Sequence, residues 1–348
     1  MRILYVEPFE TGSHASFTRT LTQGIDAQWT ALTLPGRHWK WRMRGAAVWA
    51  ATTHMEALNA GHDLLLASSY LPLAELVGLC PTLAAIPRLL YFHENQLAYP
   101  QRSPTPGGRD HHFGFTQLVS ALAATRCVFN SAYNRDSLLH HGRALLARMP
   151  DAVPRGWIER IEQSADVLPL PLSLPDVAPI PEVAPDDPLR AKGPLLLWNH
   201  RWEHDKNPEA FFAALRHLVD HQVPFRVAVC GQRFSRIPAV FEQAPAWLGD
   251  RIEHWGYCET ASDYAALLGR AQLAISTADH EFFGVAMLEA THHGAFPMVP
   301  DRLAYPELFP AAHRYPHDAA LADRLVAACT AWIRGEPLRA DRRALTDP

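Results

Sequence analysis

The stretch Leu273-Ala274-Ile275-Ser276-Thr277, followed closely by His280-Glu281-Phe282-Phe283-Gly284-Val285-Ala286-Met287-Leu288-Glu289-Ala290, reads as a buried strand, a loop and the opening of a helix. Gly284 permits close backbone approach, and Val285 to His292 has helical composition. Glu281 then falls just before a helix N-terminus, and Glu289, eight residues on, lies inside the helix. Backbone N–H groups along Phe282-Phe283-Gly284-Val285, backed by the helix dipole, would attract a diphosphate. The two carboxylates could accept hydrogen bonds from sugar hydroxyls on either side of it. The same residues also fit a core helix with two solvated glutamates.

A second stretch belongs to the same half of the chain. Leu195-Leu196-Leu197-Trp198-Asn199-His200-Arg201-Trp202-Glu203-His204-Asp205-Lys206-Asn207-Pro208 reads as a strand running into a polar loop, with a helix opening near Pro208. Arg201 and Lys206, five residues apart at the C-terminal edge of a sheet, can both reach one diphosphate, Arg as a fork and Lys as a point charge. Departure of a nucleoside diphosphate needs such positive charge.

Working outward, apolar strand-like runs alternate with helical stretches. They recur at Ile3 to Val6, Trp29 to Leu34, Leu64 to Ala67, Leu89 to Phe92 and Cys127 to Phe129, and again at Leu195 to Trp198, Phe225 to Val229, Ile252 to Trp255, Leu273 to Ile275 and Phe296 to Val299. That alternation predicts an α/β protein with two Rossmann-like domains, each a parallel sheet covered by helices, with ligands beyond the carboxyl ends of the strands. Between the halves, residues 169–194 hold eight prolines, a density expected to exclude helix and central strand. The expected organisation is therefore an acceptor domain over 1–168, a linker over 169–194 and a donor domain over 195–348.

At 348 residues the chain is long enough for two domains of ordinary size, and 48% hydrophobic with 20% charged residues describes a globular protein. No apolar run approaches the roughly 18 residues of a membrane span, and the chain opens on a strand instead of a signal peptide, so a cytoplasmic protein without membrane association is expected. Cys80, Cys127, Cys230, Cys258 and Cys329 are scattered, without a Cys-x-x-Cys pair, and read as reduced, small buried side chains. The histidine doublets at 111–112, 140–141 and 292–293 are poor chelates, because neighbours on a helix diverge by about 100°. With no Asp-x-Asp motif either, no metal and no cofactor are expected.

In the N-terminal half, Gly12-Ser13-His14 follows the first strand, where Gly12 would let the backbone approach a ligand and Ser13 could cap the next helix; an ordinary capped turn fits as well. Asn130-Ser131 could hydrogen-bond an acceptor or sugar, or cap the helix that follows. Residues 1–170 carry 15 Lys+Arg against 13 Asp+Glu, leaving 17 against 23 for the rest, so the first half is the more basic one. Arg37-His38-Trp39-Lys40-Trp41-Arg42-Met43-Arg44 interleaves two indoles with four permanent cations, a composition suited to phosphates and unstacked bases, or equally to a solvated helix start with Trp packed beneath. Gln101 to His112, with Arg102 and Arg109, reads as a flexible basic loop.

Arg201, Lys206 and the Glu281-to-Glu289 spacing resemble the donor-site pattern of retaining GT-B glycosyltransferases of family 4. Tyr91-Phe92-His93-Glu94-Asn95-Gln96-Leu97-Ala98-Tyr99-Pro100, Trp202 to Lys206, His280 to Ala290, Glu7-Pro8-Phe9-Glu10-Thr11-Gly12-Ser13-His14 and Leu34 to Arg42 resemble, more narrowly, the tRNA-queuosine α-mannosyltransferase family. The resemblance runs from about Arg2 to about Tyr315 and weakens in the last thirty or so residues. It implies a GT-B fold whose two sheets face each other across a cleft. It also implies transfer of mannose from GDP-mannose, a co-substrate, to a cyclopentene hydroxyl of queuosine in tRNA, at the wobble position of tRNA-Asp, with retention and without a nucleophilic carboxylate. Arg201 and Lys206 would stabilise the leaving diphosphate, Glu281 hold sugar hydroxyls, Glu289 hold the ribose diol, and His93 contact the transferred sugar. Gly12, Ser13, His14, Phe282, Phe283, Gly284 and Val285 would line the donor, and Arg37, Trp39, Lys40, Trp41, Arg42, Arg44, Asn95 and Asn130 the tRNA side. Two readings compete: a GT-B enzyme acting on a lipid, glycan or small molecule, and a non-catalytic RNA-binding module.

Overall fold

The computed structural model describes residues 1–100, 111–175, 183–184, 186–336 and 338. The chain divides into two compact units, Met1–Ser173 and Leu174–Pro348. In the first, β1 (Arg2–Glu10), β2 (Gln28–Pro35), β3 (Leu64–Ser68), β4 (Arg88–Phe92), β5 (Arg126–Phe129) and β6 (Ala165–Val167) form a parallel sheet in the order β2-β1-β3-β4-β5-β6. The register is set by apolar residues buried on both faces, with Val6 between Leu32 and Ala67. In the second, β7 (Leu195–Asn199), β8 (Arg226–Cys230), β9 (Ile252–Gly256), β10 (Leu273–Ile275), β11 (Phe296–Pro300) and β12 (Arg314–Tyr315) form another parallel sheet in the order β12-β11-β10-β7-β8-β9. All ten strands expected from sequence are present. Two short edge strands, β6 and β12, were not expected.

Each sheet has one point where consecutive connections run in opposite directions: between β1 and β3 in the first unit, between β7 and β10 in the second. Loops leaving the carboxyl ends of those strands diverge, and the crevice they leave is where open α/β sheets bind ligands. Arg201 and Lys206 follow β7, and Glu281 follows β10. Topology alone thus brings together two stretches some 75 residues apart.

One expectation needs correction. Inside the proline-rich stretch, Pro188–Lys192 is a short helix, capped by the Asp187 carboxylate at 2.7 Å from the Leu189 N–H. Proline at the first helical position has no N–H to leave unpaired and a φ already suited to the helix, so proline density does not forbid a helix start. The Arg190 guanidinium lies 4.7 Å from the ring of Trp332, on the helix Asp318–Ile333. Residues 176–182 of the linker, and 101–110 of the basic loop with Arg102 and Arg109, lie outside the described residues.

Candidate active site

The loop after β7 is pinned by the Trp202 indole. Trp202 is fully buried and stacks on Phe241 with centroids 4.3 Å apart and planes 4° from parallel. Gly231, after β8, makes room for the backbone of that loop: a Cβ there would lie 1.8 Å from the His200 carbonyl oxygen. Arg201 stays half-exposed on this fixed turn, paired with Glu203 at 2.9 Å and 3.9 Å from Asp205 Oδ2. Lys206 turns inward. Its ammonium donates to the His280 carbonyl oxygen at 2.6 Å and to Glu281 Oε2 at 3.2 Å, and lies 3.5 Å from Asp205 Oδ2.

The backbones of the two loops are laced together as well. Asp279 N–H and His280 N–H both donate to the Asp205 carbonyl oxygen, and the Thr277 hydroxyl donates to that of Lys206. From beneath, Arg302 donates to the carbonyl oxygens of Thr277 and Ala278 and pairs with Asp279 and Asp318. Glu281 is thereby held beside Lys206. Burial alone would raise its carboxyl, but Lys206, with His200 and His280 behind it, brings it down to about 2. Burial, and then the Lys206 charge, push His200 down to about 3 and His280 to about 4, so both rings are neutral near pH 7.

Gly284 caps the helix Val285–His292 with φ at +100°, and a Cβ there would meet the Tyr305 ring at 3.0 Å. Only glycine suits both the backbone and the space. In the first turn beyond it, the Met287 N–H bonds back to the Gly284 carbonyl oxygen at 3.0 Å, and the N–H groups of Val285 and Ala286 are the ones turned to an anion. Within the helix, Glu289 Oε2 accepts from the Tyr264 hydroxyl at 2.8 Å, which itself accepts from the Asn199 amide at 3.0 Å. Burial raises the Glu289 carboxyl, and the Tyr264 bond opposes that rise.

In the first unit, β1 carries a buried carboxylate, Glu7, three residues before its end, with all four acceptor positions used. Glu7 Oε1 accepts from Phe9 N–H at 2.9 Å and the Ser68 hydroxyl at 2.8 Å; Oε2 faces the Tyr5 hydroxyl at 3.3 Å and His14 Nδ1 at 3.0 Å. His14 Nε2 reaches Glu94 Oε2 at 3.3 Å. Burial opposes a charge on His14, but Glu7 and Glu94 on its two sides raise it to about 10. The His93 ring lies against it, centroids 3.9 Å apart, and is driven well below the ordinary histidine range by burial and then by the His14 charge. Neither His93 nitrogen has a hydrogen-bond partner among the described residues. Ligand atoms of Glu7, His14 and His93 lie within 4.8 Å of one another, but both His14 nitrogens are committed to carboxylates, which makes the cluster a proton-holding relay in preference to a metal cage.

Residues 2–172 match the family description "tRNA-queuosine alpha-mannosyltransferase N-terminal", and 180–344 match "Glycosyl transferases group 1". The chain is 39% identical over 334 residues, 94% of its length, to the tRNA-queuosine alpha-mannosyltransferase of Drosophila melanogaster, of which it covers 86%. The chain belongs to the tRNA-queuosine α-mannosyltransferase family. Its fold is that of the GT-B glycosyltransferases. It is similar to sucrose-phosphate synthase of Thermosynechococcus elongatus, at TM-score 0.68, 15% identity and coverage of 100% and 94% of the two chains, and to HepE of Anabaena in complex with UDP, at 0.62, 15%, 99% and 92%.

In this α-mannosyltransferase family member, several expected contacts are placed otherwise. The Phe282 and Phe283 side chains are buried, which leaves only their backbone for a ligand, and the Phe283 N–H already leans on Glu281 Oε1 at 3.5 Å. Ser13 is no cap: the helix Gly12–Gly24 begins before it, at Gly12, and the capping position is Thr11. A Cβ on Gly12 would meet nothing within 4 Å, so the backbone there is open to approach. Asn95 and Asn130 are buried and bonded within the first unit. The fully buried Asn95 amide donates to Asn134 and Ser137 and accepts from Ala98 N–H, while Asn130 donates to the His93 carbonyl oxygen and accepts from Asn134. Both hold the loop after β4 against the helix Ala132–Leu146, whose cap is Ser131.

The cationic segment is split between the two readings left open for it. Trp39 is packed against Phe113 at 5.1 Å, whereas Trp41 is 65% exposed on the helix Trp39–Thr53. Lys40 and Arg44 are exposed beside these rings, 5.6 Å from Trp39 and 4.9 Å from Phe113; Arg37 is exposed, and Arg42 reaches the Pro35 carbonyl oxygen at 3.4 Å. Among the described residues no helix is long and apolar enough to cross a membrane. Glu7, Glu94, Tyr264, Asp205 and Arg302 were missed from sequence, because a buried polar group is recognisable only by its partners.

The charged His14 has a measurable consequence. Its folded value, near 10, lies above that of a histidine in an unfolded chain, about 6.5, so its stabilising contribution is complete below about pH 6.5 and disappears as pH rises towards 10. Urea melts of wild type and His14→Gln are expected to differ most near pH 6 and converge by pH 10; a gap independent of pH would rule out the charged pairing.

Proposed function

We propose that this chain transfers mannose from GDP-mannose to a cyclopentene hydroxyl of queuosine in tRNA, at the wobble position of tRNA-Asp, retaining the α configuration and needing no metal. The observation that carries the reading is the joining of the loops after β7 and β10, which sets Arg201 and Lys206 around Asp205 with Glu281 against the ammonium. A leaving diphosphate gathers negative charge as the glycosidic bond breaks. Arg201, half-exposed, offers its fork to it, and the first-turn N–H groups after Gly284 add fixed dipoles. Lys206 adds its own positive charge to the diphosphate and also holds Glu281 ionised, so that Glu281 accepts from sugar hydroxyls. Glu289, with one oxygen committed to Tyr264, presents the other to the ribose diol. His93, neutral and unpaired, contacts the transferred sugar. With no carboxylate assigned as nucleophile, the acceptor hydroxyl attacks on the face the diphosphate leaves, giving its proton to a phosphate oxygen. A queuosine base in a tRNA loop can be splayed out with little unpairing cost.

The direct test is incorporation of labelled mannose from GDP-mannose into queuosine-containing tRNA-Asp, against the same tRNA carrying guanine. Transfer to lipid, glycan or small-molecule acceptors instead would overturn the acceptor assignment. Glu281→Gln is expected to lower kcat, and Glu289→Gln to raise KM for the donor; identical kinetic profiles would remove the division of roles. Turnover should persist in excess chelator, since cations and N–H groups supply the charge that a metal supplies elsewhere, and a loss restored by magnesium or manganese would contradict this.

A further inference from the structure

Two cysteines 28 residues apart in sequence meet at the carboxyl ends of β8 and β9. Cys230 Sγ, on the last residue of β8, lies 3.6 Å from Cys258 Sγ, in the loop after β9, and Cys258 Sγ lies 3.6 Å from Nε2 of His254 on β9. All three ligand atoms fall within 4.8 Å of one another. The geometry points to a three-ligand site for a thiophilic divalent cation of the zinc class, with a fourth coordination position open.

The spacing decides between the two uses a cysteine pair can have. A tetrahedral zinc ion with Zn–S near 2.3 Å and Zn–N near 2.0 Å holds its ligands about 3.8 Å (S to S) and about 3.5 Å (S to N) apart. Both separations fall close to these values, and the third, from Cys230 Sγ to His254 Nε2, is within 4.8 Å. A disulfide needs the sulfurs at about 2.05 Å, so the two Sγ atoms would have to approach by more than an ångström from the 3.6 Å seen here. A cation instead displaces both thiol protons to solvent and leaves a neutral dithiolate site.

One contact has to be given up. His254 Nε2 is shared with the Gly256 carbonyl oxygen at 3.0 Å, and ligation moves the imidazole proton to Nδ1. A single neutral hydrogen bond contributes far less than a zinc ion held by thiolates. The site lies at the carboxyl ends of β8 and β9, where the residues after Cys230 pack on the loop after β7: Trp202 N–H donates to the Gln232 carbonyl oxygen at 3.0 Å. It would tie down the loop that leads into the helix Ala261–Arg270, where Tyr264 holds Glu289.

Cobalt is the probe. Reduced, metal-stripped full-length protein titrated with Co2+ is expected to develop thiolate-to-cobalt charge-transfer absorption and tetrahedral d–d bands, saturating at one equivalent and displaced by Zn2+, with Tm rising on loading. Cys258→Ser, at a part-exposed position, and His254→Gln should keep the metal-free Tm and lose the bands or the one-equivalent end point. Cys230→Ser alters a buried position and is read only beside them. Absence of the thiolate band, or its survival in Cys258→Ser, would overturn the site. So would a pair that closes in air to a disulfide, giving two hydrogen atoms to oxygen, in a protein that takes up no cobalt after reduction.

Discussion

Alanine at Lys206 is expected to lower turnover by about two orders of magnitude or more and, separately, to destabilise the C-terminal unit by about 3 kcal/mol or more. The two losses have different origins. The first follows from the charge that develops on a departing diphosphate. The second follows from burial: Lys206 is almost fully enclosed, with its ammonium on the His280 carbonyl oxygen and the Glu281 carboxylate, so its removal leaves a carboxylate without its counter-ion. Lys206→Ala with Glu281→Ala removes both charges and should recover much of the stability and none of the activity. Arg201→Ala should cost under about 1 kcal/mol, because its ion pair is half in solvent, while turnover falls as far as in Lys206→Ala. A Lys206→Ala protein of wild-type stability would mean that the pair does not form in solution; wild-type turnover in both alanine variants would remove the donor site. Acid adds a check with a definite sign. The Glu281 value lies below that of an ordinary glutamate, so its contribution is present above about pH 4.5 and is lost only as pH falls through about 2.

What the sequence made legible follows from which interactions are local. The ten central strands are buried apolar runs, and such runs announce themselves whatever they pair with; β6 and β12, of three and two residues at sheet edges, are too short to carry a pattern. Arg201, Lys206 and Glu281 could be placed at strand ends from local pattern alone, but not the bond from Lys206 to Glu281, which exists because strand order makes β7 and β10 neighbours. For the same reason Glu7, His14 and Glu94 read as separate polar residues, although Glu7 and Glu94 hold the charge on His14 from either side. Asn95 and Asn130 mark the opposite failure. Asn95 lies in a stretch that resembles a family motif and Asn130 follows a strand, and nothing local distinguishes a side chain facing a ligand from one that ties its own loop to the next helix. Cys230 and Cys258, read as unrelated buried thiols, became neighbours only once β8 and β9 were paired.

Replacing Arg37, Lys40, Arg42 and Arg44 together by alanine is expected to weaken tRNA binding by an order of magnitude or more and to flatten its dependence on salt. Every cation that no longer neutralises a phosphate takes about 0.7 from the slope of log K against log salt on single-stranded nucleic acid, so the change should approach about 3 if all four engage. Arg42 is the residue that tests this accounting, because its guanidinium already reaches the Pro35 carbonyl oxygen and is only part-exposed. A slope change nearer 2 would assign the phosphate interactions to Arg37, Lys40 and Arg44. Trp41→Ala should behave differently. An exposed indole offers a stacking face without a charge, so its loss should reduce affinity by about 1 to 3 kcal/mol and leave the salt slope unchanged. Trp39→Ala is the contrast, since Trp39 is packed on Phe113 and its removal should cost stability before it costs binding. GDP-mannose affinity should stay constant throughout, because the donor groups are assigned to loops of the other unit. Retention of wild-type tRNA affinity and slope in the quadruple variant would make the segment a solvated helix face, and the surface that receives tRNA would then have to be sought elsewhere on the chain.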